Sequence, residues 1–187
     1  MRLFLGVWLS PEQRREVERF LIGLRRRYPD WKWTSPGNLH ITLKFLGEVH
    51  SDRLALLKTS FAGCAMPMRR FQIRLGGLGI FPERGIPNVL WLSLAVGGPE
   101  LQQLAALIEK AGAEAGFARE NRPFRPHLTL ARSRPGVAAA VPGEDEAPQY
   151  PLRSCTEVSS FALIESKLTA SGPDYHSLAE FPFGVRG

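Results

Sequence analysis

One four-residue pattern constrains the fold more than any other feature of this sequence, because it occurs twice. Residues 40–43 read His-Ile-Thr-Leu and residues 127–130 read His-Leu-Thr-Leu. Polar and apolar residues alternate in both copies, as in a β-strand with one face in a core. With only four histidines in the chain, two such copies are unlikely to arise by chance. The chain is therefore expected to contain two similar strands, each presenting an imidazole and a hydroxyl on its polar face.

The remaining patterns predict a mixed fold in the order βαβαββαβββ. Helices are indicated from Pro11, over about 51–63 and over 99–117. The strand patterns cover residues 2–9, 39–46, 71–75, 89–96, 127–131, 158–164 and 175–181. No strand is followed by a glycine-rich nucleotide-binding turn, and 18 glycines and 15 prolines argue against a helical bundle. We therefore expect the α+β class with largely antiparallel sheets.

Turn residues and a helix N-cap mark the ends of these predicted elements. Ser10 is expected to cap the first helix, with Gln13 completing a capping box. Loops are predicted over residues 28–37, 76–88 and 133–151. The last of these is acidic, rich in proline, glycine and alanine, and lacks a core pattern, which is typical of a surface loop.

Composition excludes several classes of protein. A chain of 187 residues with 44% apolar and 22% charged residues has enough material for a core, so it is neither a disulfide-stapled miniprotein nor wholly disordered. Cys64 and Cys155 fit no zinc or redox spacing, which favours buried thiols in a reducing compartment. No stretch is long enough to span a membrane. We expect a cytoplasmic protein, and a monomer because no oligomer interface is evident.

The formal net charge of +6 is compatible with two interpretations. A basic domain often has an anionic partner, of which nucleic acid is the commonest. A solubilising surface is an equally good explanation of the same charge.

Two facing His-x-Thr strands would form a site for chemistry at phosphorus. Imidazole titrates near neutrality, so one histidine can act as base and the other as acid. Threonine hydroxyls can donate hydrogen bonds to anionic oxygens. This set suits in-line displacement without a metal or other cofactor. A two-histidine metal site is the alternative, but it lacks a third ligand at recognisable spacing.

Residues 38–47 and 122–132 resemble the two signature motifs of the 2H phosphoesterases, in particular the RNA 2′,3′-cyclic phosphodiesterase (2′-5′ RNA ligase) family. Residues 165–168 and 175–183 are also similar to that family. The resemblance implies one bilobal domain over residues 1–187, with pseudo-twofold lobes and antiparallel sheets around a central groove and helices outside. It also implies hydrolysis of terminal 2′,3′-cyclic phosphate in RNA to a 2′-phosphate, with reverse ligation as a weaker activity.

The resemblance implies a role for each motif residue. His40 would protonate the departing 3′ oxygen, and His127 would activate water. Phosphate oxygens would be bound by Thr42, Thr129 and Arg132. Spacing alone does not separate the acid from the base.

The two motifs also differ from each other. Lys44 and Phe45 in the first occupy the places of Ala131 and Arg132 in the second. Phe45 could stack on a base or pack in the core. His50 and His176 lack the threonine and are interpreted as surface or structural residues.

Other residues and other functions stay open at this stage. Arg122 and Arg125 are close enough to the second motif to reach the groove, while Trp31, Trp33 and Trp91 are better explained by packing. The partner could be RNA with cyclic phosphate ends, or small cyclic nucleotides such as ADP-ribose cyclic phosphate. A non-catalytic RNA-binding module is the rival from another class.

Overall fold

A sheet of nine strands organises the chain in the computed structural model, which describes residues 1–134, 136–137, 139–142, 152–170 and 172–184. The strands are β1 (Arg2–Trp8), β2 (Trp31–Trp33), β3 (His40–Glu48), β4 (Phe71–Phe81), β5 (Val89–Val96), β6 (Leu128–Ser133), β7 (Cys155–Val158), β8 (Ser160–Thr169) and β9 (Gly172–Pro182). The helices are α1 (Pro11–Arg27), α2 (Leu54–Ala65) and α3 (Gly98–Glu114), with short 3-10 helices at Pro36–Asn38 and Ser51–Arg53.

The two motif strands lie next to each other at the centre of this sheet. The strand order is β7-β4-β5-β6-β3-β1-β8-β9. The remaining strand, β2, pairs with β6. Each pairing between these strands is antiparallel, which confirms the predicted class. β3 and β6 meet through one registered pair, Ile41 with Leu128. Along this order, four strands lie on each side of the junction between β6 and β3, and β2 is a ninth strand beside β6.

The helices cover one face of the sheet and leave the other to the motifs. Ile41 and Leu43 are buried in a core built with α2 and α3. Leu128 and Leu130 are buried in a second core built with α1. Since side chains alternate along a strand, the histidines and threonines of both motifs lie on the opposite face. We call that side of the sheet the motif face.

β4 is longer than its sequence pattern indicates. Residues 76–88 are predicted to be a loop because of their glycines, but the strand continues to Phe81 and only residues 82–88 form the connection. The glycines make room for the neighbouring strand. A Cβ on Gly76 would lie 2.5 Å from the Ser93 hydroxyl, and one on Gly79 would overlap the Trp91 ring. These glycines are therefore packing positions within a strand.

The N-terminus of α1 contains half of the predicted capping box. Ser10 caps the helix as expected, and its Oγ accepts a hydrogen bond from the Gln13 amide at 3.1 Å. The Gln13 side chain does not complete the box, because its Nε2 donates to the Ile73 carbonyl at 3.1 Å. Gln13 is fully buried and ties α1 to β4.

Three further expectations need correction. The predicted loop 28–37 contains β2, which pairs with β6, and the start of a 3-10 helix. The predicted strand 158–164 is divided at Ser159 between β7 and β8, which lie in different parts of the sheet. Cys64 is buried as expected, whereas Cys155 is exposed because it lies on the same outward face of β7 as Glu157.

Most of the predicted surface loop 133–151 lies outside the described residues. Two of its described residues pack more closely than expected, since Ala139 is buried and the Ala140 carbonyl accepts a hydrogen bond from Trp31 Nε1 at 2.8 Å. Among the described residues, no helix is both long enough and apolar enough to cross a membrane.

Candidate active site

The His40 ring is oriented by hydrogen bonds at both of its nitrogens. Its Nδ1 lies 2.6 Å from the Asn38 carbonyl oxygen, and its Nε2 lies 3.0 Å from Thr42 Oγ1. A carbonyl can only accept, so Nδ1 carries the proton in the neutral ring and Nε2 accepts from the threonine hydroxyl. The basic nitrogen therefore lies beside Thr42 on the motif face.

His127 has the same arrangement at its backbone. Its Nδ1 lies 2.7 Å from the Arg125 carbonyl oxygen, again two residues upstream. The same reasoning assigns the proton to Nδ1 and leaves Nε2 as the basic nitrogen. Both motifs thus hold their imidazoles in one tautomer through a local backbone contact, as the repeated sequence would require.

A β-bulge changes which residues of the first motif share a face. Strict alternation would place Lys44 beside Thr42 and turn Phe45 into the core. In the structure Thr42 pairs with Gly6 while Lys44 pairs with Leu5, so Leu43 is an extra residue. Phe45 consequently lies on the motif face, where it is 53% exposed.

The second motif has a bulge at the equivalent position. Thr129 pairs with Trp91 and Ala131 pairs with Leu90, so Leu130 is the extra residue. Arg132 therefore lies on the same face as Thr129 and is exposed. The structure thus brings all of the predicted site residues to one face: His40, Thr42, Phe45, His127, Thr129 and Arg132.

Lys44, by contrast, lies in the core behind the first motif. It is 3% exposed, and its Nζ lies 2.8 Å from Glu109 Oε2 and 3.0 Å from the Ala118 carbonyl. A Cβ on Gly112 would come within 2.9 Å of Lys44 Cε, so the glycine makes room for the lysine stem. Ala131 occupies the equivalent buried position in the second motif. The difference between Lys44 and Ala131 therefore concerns packing rather than substrate contact.

Removing the acceptor of this ammonium is expected to destabilise the protein. Glu109→Leu would leave a buried charge without its carboxylate, which costs about 2 kcal/mol given that Glu109 itself is partly exposed. Chemical denaturation of the variant measures the change in the free energy of unfolding. The double variant Lys44→Met/Glu109→Leu should recover part of the loss; if it is less stable than Glu109→Leu, the ion pair is not the cause.

Aromatic rings surround His40. Its ring centroid lies 4.8 Å from that of Phe4, 5.7 Å from that of Trp8 and 5.2 Å from that of Tyr175. Phe4 also packs with Phe45 at 6.0 Å. These rings exclude water from one side of the imidazole and leave Phe45 beside it.

His127 also has aromatic neighbours, from different strands. Its centroid lies 5.3 Å from that of Phe81 and 6.0 Å from that of Trp91. The two rings stack on each other at 4.8 Å with an interplanar angle of 22°. Gly79 permits this arrangement, because the Trp91 ring lies against its backbone. The sequence indicates packing for Trp91, and no local pattern predicts that it lies beside a motif histidine.

Burial lowers the pKa of both histidines. The pKa of His40 falls to about 4, chiefly through burial and further through the charges of Arg132 and His127, although the Asn38 hydrogen bond opposes the change. The pKa of His127 is also lowered, first by burial and then by Arg132. Arg132 lowers both pKa values, so its charge and the two imidazoles share one electrostatic environment. Both rings are therefore neutral at pH 7, and a bound anion would raise their pKa values.

This shift predicts a loss of stability in mild acid. The folded-state pKa of His40 lies below its unfolded value near 6.5, so its contribution is complete above that pH and decreases as the pH falls towards 4. Between pH 7 and pH 5 the loss is about 2 kcal/mol. Urea denaturation at the two pH values should show this loss in the parent protein and a smaller one in His40→Asn. Equal losses would contradict the lowered pKa.

The other polar candidates lie away from the imidazoles or at their margin. His50 has an 88% exposed side chain, and His176 pairs with Asp174 at 2.9 Å, which confirms both as surface residues. Arg125 forms an ion pair with Glu83 at 2.7 Å. Within the part of the chain that the structure describes, no three potential metal ligands lie together. Independence from metal stays a prediction.

Comparison with known proteins identifies a consistent set of relatives. The model of the 2′-5′ RNA ligase superfamily matches residues 7–169. An RNA 2′,3′-cyclic phosphodiesterase of Archaeoglobus fulgidus is 35% identical over 97% of this chain and 99% of its own length. Another of the same name, from Geobacillus stearothermophilus, is 33% identical over 96% of this chain, which spans only 56% of that relative.

A solved structure has the same fold. The crystal structure of TT0787 of Thermus thermophilus matches with a TM-score of 0.80 and 30% sequence identity, and the match covers 100% of each chain. The likeness therefore extends over the whole fold of both chains.

Proposed function

This chain belongs to the 2′-5′ RNA ligase superfamily, and we propose that it is an RNA 2′,3′-cyclic phosphodiesterase that opens terminal cyclic phosphates to 2′-phosphates. The observation that carries the proposal is the matched pair of imidazoles on the two central strands. In both, Nδ1 donates to a backbone carbonyl, which leaves Nε2 as the basic nitrogen on the motif face. The names of the relatives support the same substrate class.

In the proposed mechanism, the histidines move protons at opposite sides of the phosphorus. His127 Nε2 takes a proton from water as the water oxygen attacks. The bond between phosphorus and the 3′ oxygen breaks, and His40 Nε2 gives that oxygen a proton. The assignment of acid and base follows the family resemblance, because the repeated motif does not distinguish the two histidines.

The phosphate itself would be held by Thr42, Thr129 and Arg132. Each lies on the motif face, and Arg132 can add a charge-assisted hydrogen bond to a non-bridging oxygen. Binding of the phosphate would also let His40 take up, from solvent, the proton that it later donates. Because burial keeps the pKa of His40 near 4 in the free protein, a bound phosphate anion that offsets Arg132 favours the imidazolium form.

The proposed function also includes the domain organisation, the binding of the base and the oligomeric state. We propose that residues 1–187 form one domain of two lobes, one containing β3 and the other β6, each of which contributes one motif. The exposed ring of Phe45 would stack on the base of the terminal nucleotide. We also propose a cytoplasmic monomer, consistent with two unpaired cysteines; sedimentation analysis would show a single species of 20.8 kDa.

The experiment uses an RNA oligonucleotide ending in a 2′,3′-cyclic phosphate, with EDTA present. The expected product is an oligonucleotide that ends in a 2′-phosphate. A 3′-phosphate product would show that the 2′ oxygen is the leaving group, and would overturn the role proposed for His40. Activity that requires added metal would overturn the metal-free mechanism, and salt-dependent binding without product would indicate a binding module.

The same assay distinguishes RNA ends from small substrates. A mononucleotide 2′,3′-cyclic phosphate and ADP-ribose cyclic phosphate would be compared with the oligonucleotide. We expect kcat/KM to rise with added nucleotides, because a longer strand contacts more of the motif face. A faster reaction with ADP-ribose cyclic phosphate would contradict RNA as the preferred substrate.

A further inference from the structure

We propose that Asn38 is the positioning residue of His40. Its carbonyl selects the tautomer of the imidazole, and its side chain fixes that carbonyl by binding the hairpin formed by β8 and β9. The inference rests on the proposed function, because it concerns the histidine that would act as the acid. It gives a role to a residue outside the His-x-Thr motif, which holds the ring and does not touch the substrate.

The Asn38 carbonyl decides which nitrogen of the neutral His40 ring carries the proton. It lies 2.6 Å from Nδ1, while the Thr42 hydroxyl lies 3.0 Å from Nε2. A hydroxyl can donate or accept, so Thr42 is compatible with both tautomers. A carbonyl only accepts, so Asn38 favours the tautomer that leaves Nε2 basic. With the carbonyl displaced, the other tautomer would be free to form and to donate from Nε2 to Thr42.

The side chain of Asn38 holds this carbonyl in place. Its Nδ2 donates a hydrogen bond of 2.6 Å to the carbonyl of Pro173. Pro173 lies opposite Leu168 in the paired strands β8 and β9, and its ring restricts the backbone at the point of contact. Asn38 itself is the last residue of the 3-10 helix that precedes β3. The side chain therefore ties the junction between helix and strand to the hairpin, and the carbonyl of the same residue is directed at His40.

The second lobe has a similar connection. The Arg125 carbonyl accepts from His127, and the Arg125 side chain pairs with Glu83 at 2.7 Å. Glu83 belongs to the connection between β4 and β5. In each lobe, the residue two before the histidine thus joins the imidazole to a β-hairpin of the same lobe. This repetition indicates that the link belongs to the construction of the site.

The two links differ in strength. Both side chains of the Arg125 ion pair are more than half exposed, so the pair contributes little to holding the backbone. The segment before His127 is restrained without it, because the ring of Pro126 fixes φ directly before the histidine. The equivalent residue before His40 is Leu39, which has no such ring. We therefore expect only His40 to depend on the side chain two residues upstream.

The first test replaces Asn38 by alanine and locates the imidazole protons. Two-bond 15N–1H correlation spectra at pH 7 show which nitrogen of each neutral ring is protonated. In the parent protein, His40 and His127 should both carry the proton on Nδ1. In Asn38→Ala, the population of the Nε2–H form of His40 should rise about fivefold, as expected for the loss of one hydrogen bond. Unchanged signals from the other three histidines would show that the variant is folded. If it is not folded, Asn38→Ser, whose side chain is too short to reach Pro173, replaces it.

The second test measures kinetics with a cyclic-phosphate oligonucleotide. In Asn38→Ala, kcat should fall about tenfold, because a displaced acid slows the transfer of the proton. KM should change little, since Asn38 is not proposed to touch the substrate.

Two variants are matched controls. Thr169→Val removes the hydrogen bond of 2.7 Å from Thr169 Oγ1 to the Gly172 carbonyl, at the turn of the same hairpin. It should leave both the His40 tautomer and kcat unchanged. Arg125→Ala removes the equivalent side chain of the second lobe and should leave the His127 tautomer unchanged.

Each contrary outcome has a distinct meaning. An unchanged His40 tautomer in Asn38→Ala overturns the proposal, and so does an equal change in Thr169→Val, which would assign the effect to the hairpin as a whole. A rise in KM at constant kcat would place Asn38 in substrate binding and would also overturn it. A changed His127 tautomer in Arg125→Ala would overturn the restriction of the effect to His40. If the parent protein does not open the cyclic phosphate, the proposed function fails, whereas the spectra still show whether Asn38 sets the tautomer.

Discussion

Replacing either motif histidine, as His40→Asn or His127→Asn, is expected to lower kcat by about 10²-fold or more, the usual contribution of a positioned acid or base. Asparagine can still donate a hydrogen bond towards the carbonyl that each Nδ1 now contacts. It supplies no titrating group where Nε2 lies. The loss should therefore appear in kcat, with a much smaller change in KM.

The controls for this experiment are the two histidines outside the site. His50→Asn and His176→Asn remove imidazoles that are exposed or paired on the surface, and should leave kcat unchanged. Initial rates with a cyclic-phosphate oligonucleotide measure all four variants. Rates near the parent value in both motif variants would show that the imidazoles do not carry out the reaction.

Replacing Arg132 is expected to have the next largest effect. Arg132→Gln would remove the proposed charge-assisted contact to the phosphate, and kcat/KM should fall about 10- to 100-fold. The same change should raise the pKa of both histidines, since the Arg132 charge contributes to the lowering of each pKa in the parent protein. Initial-velocity kinetics measure the change in kcat/KM. NMR titration of the imidazole signals measures the two pKa values separately.

Arg132→Lys separates charge from geometry. The ammonium should keep the pKa of His40 and His127 low but lose the forked hydrogen bonds of the guanidinium. We expect a smaller fall in kcat/KM than in Arg132→Gln and little change in the titration. If the imidazoles titrate in Arg132→Gln as in the parent protein, the three groups do not share one environment.

The sequence was sufficient to predict the class of the fold and the central histidines. Alternation of polar and apolar residues in residues 40–43 and 127–130 depends only on local geometry, and the structure follows it through Leu43 and Leu130. After these two residues, the bulges reverse which face of the strand each following residue lies on. Alternation alone would have turned Phe45 and Arg132 into the core, and it was the family resemblance that placed them in the site.

Other features depend on neighbours that are distant in sequence. The glycines of residues 76–79 are typical of a loop until Ser93 and Trp91 are known to lie against them. Gln13 fits a capping box until Ile73 is found beside it. The aromatic rings next to His127 come from β4 and β5, and no local pattern connects them to that histidine.

The division of the sheet also has a consequence for the order of events during synthesis on the ribosome. The half containing β4, β5, β6 and β7 is drawn from one continuous stretch, residues 71–158, whereas β1 must pair with both β3 and β8. The growing chain can form the half that contains β4 to β7 before β8 has been synthesised. Until then, β1 has one edge without a partner strand. Pairings between such remote segments are slow to form. His40, whose ring packs against Tyr175 of β9, therefore acquires its full surroundings only after the final strands have emerged, and the proposed acid is the last part of the site to be completed.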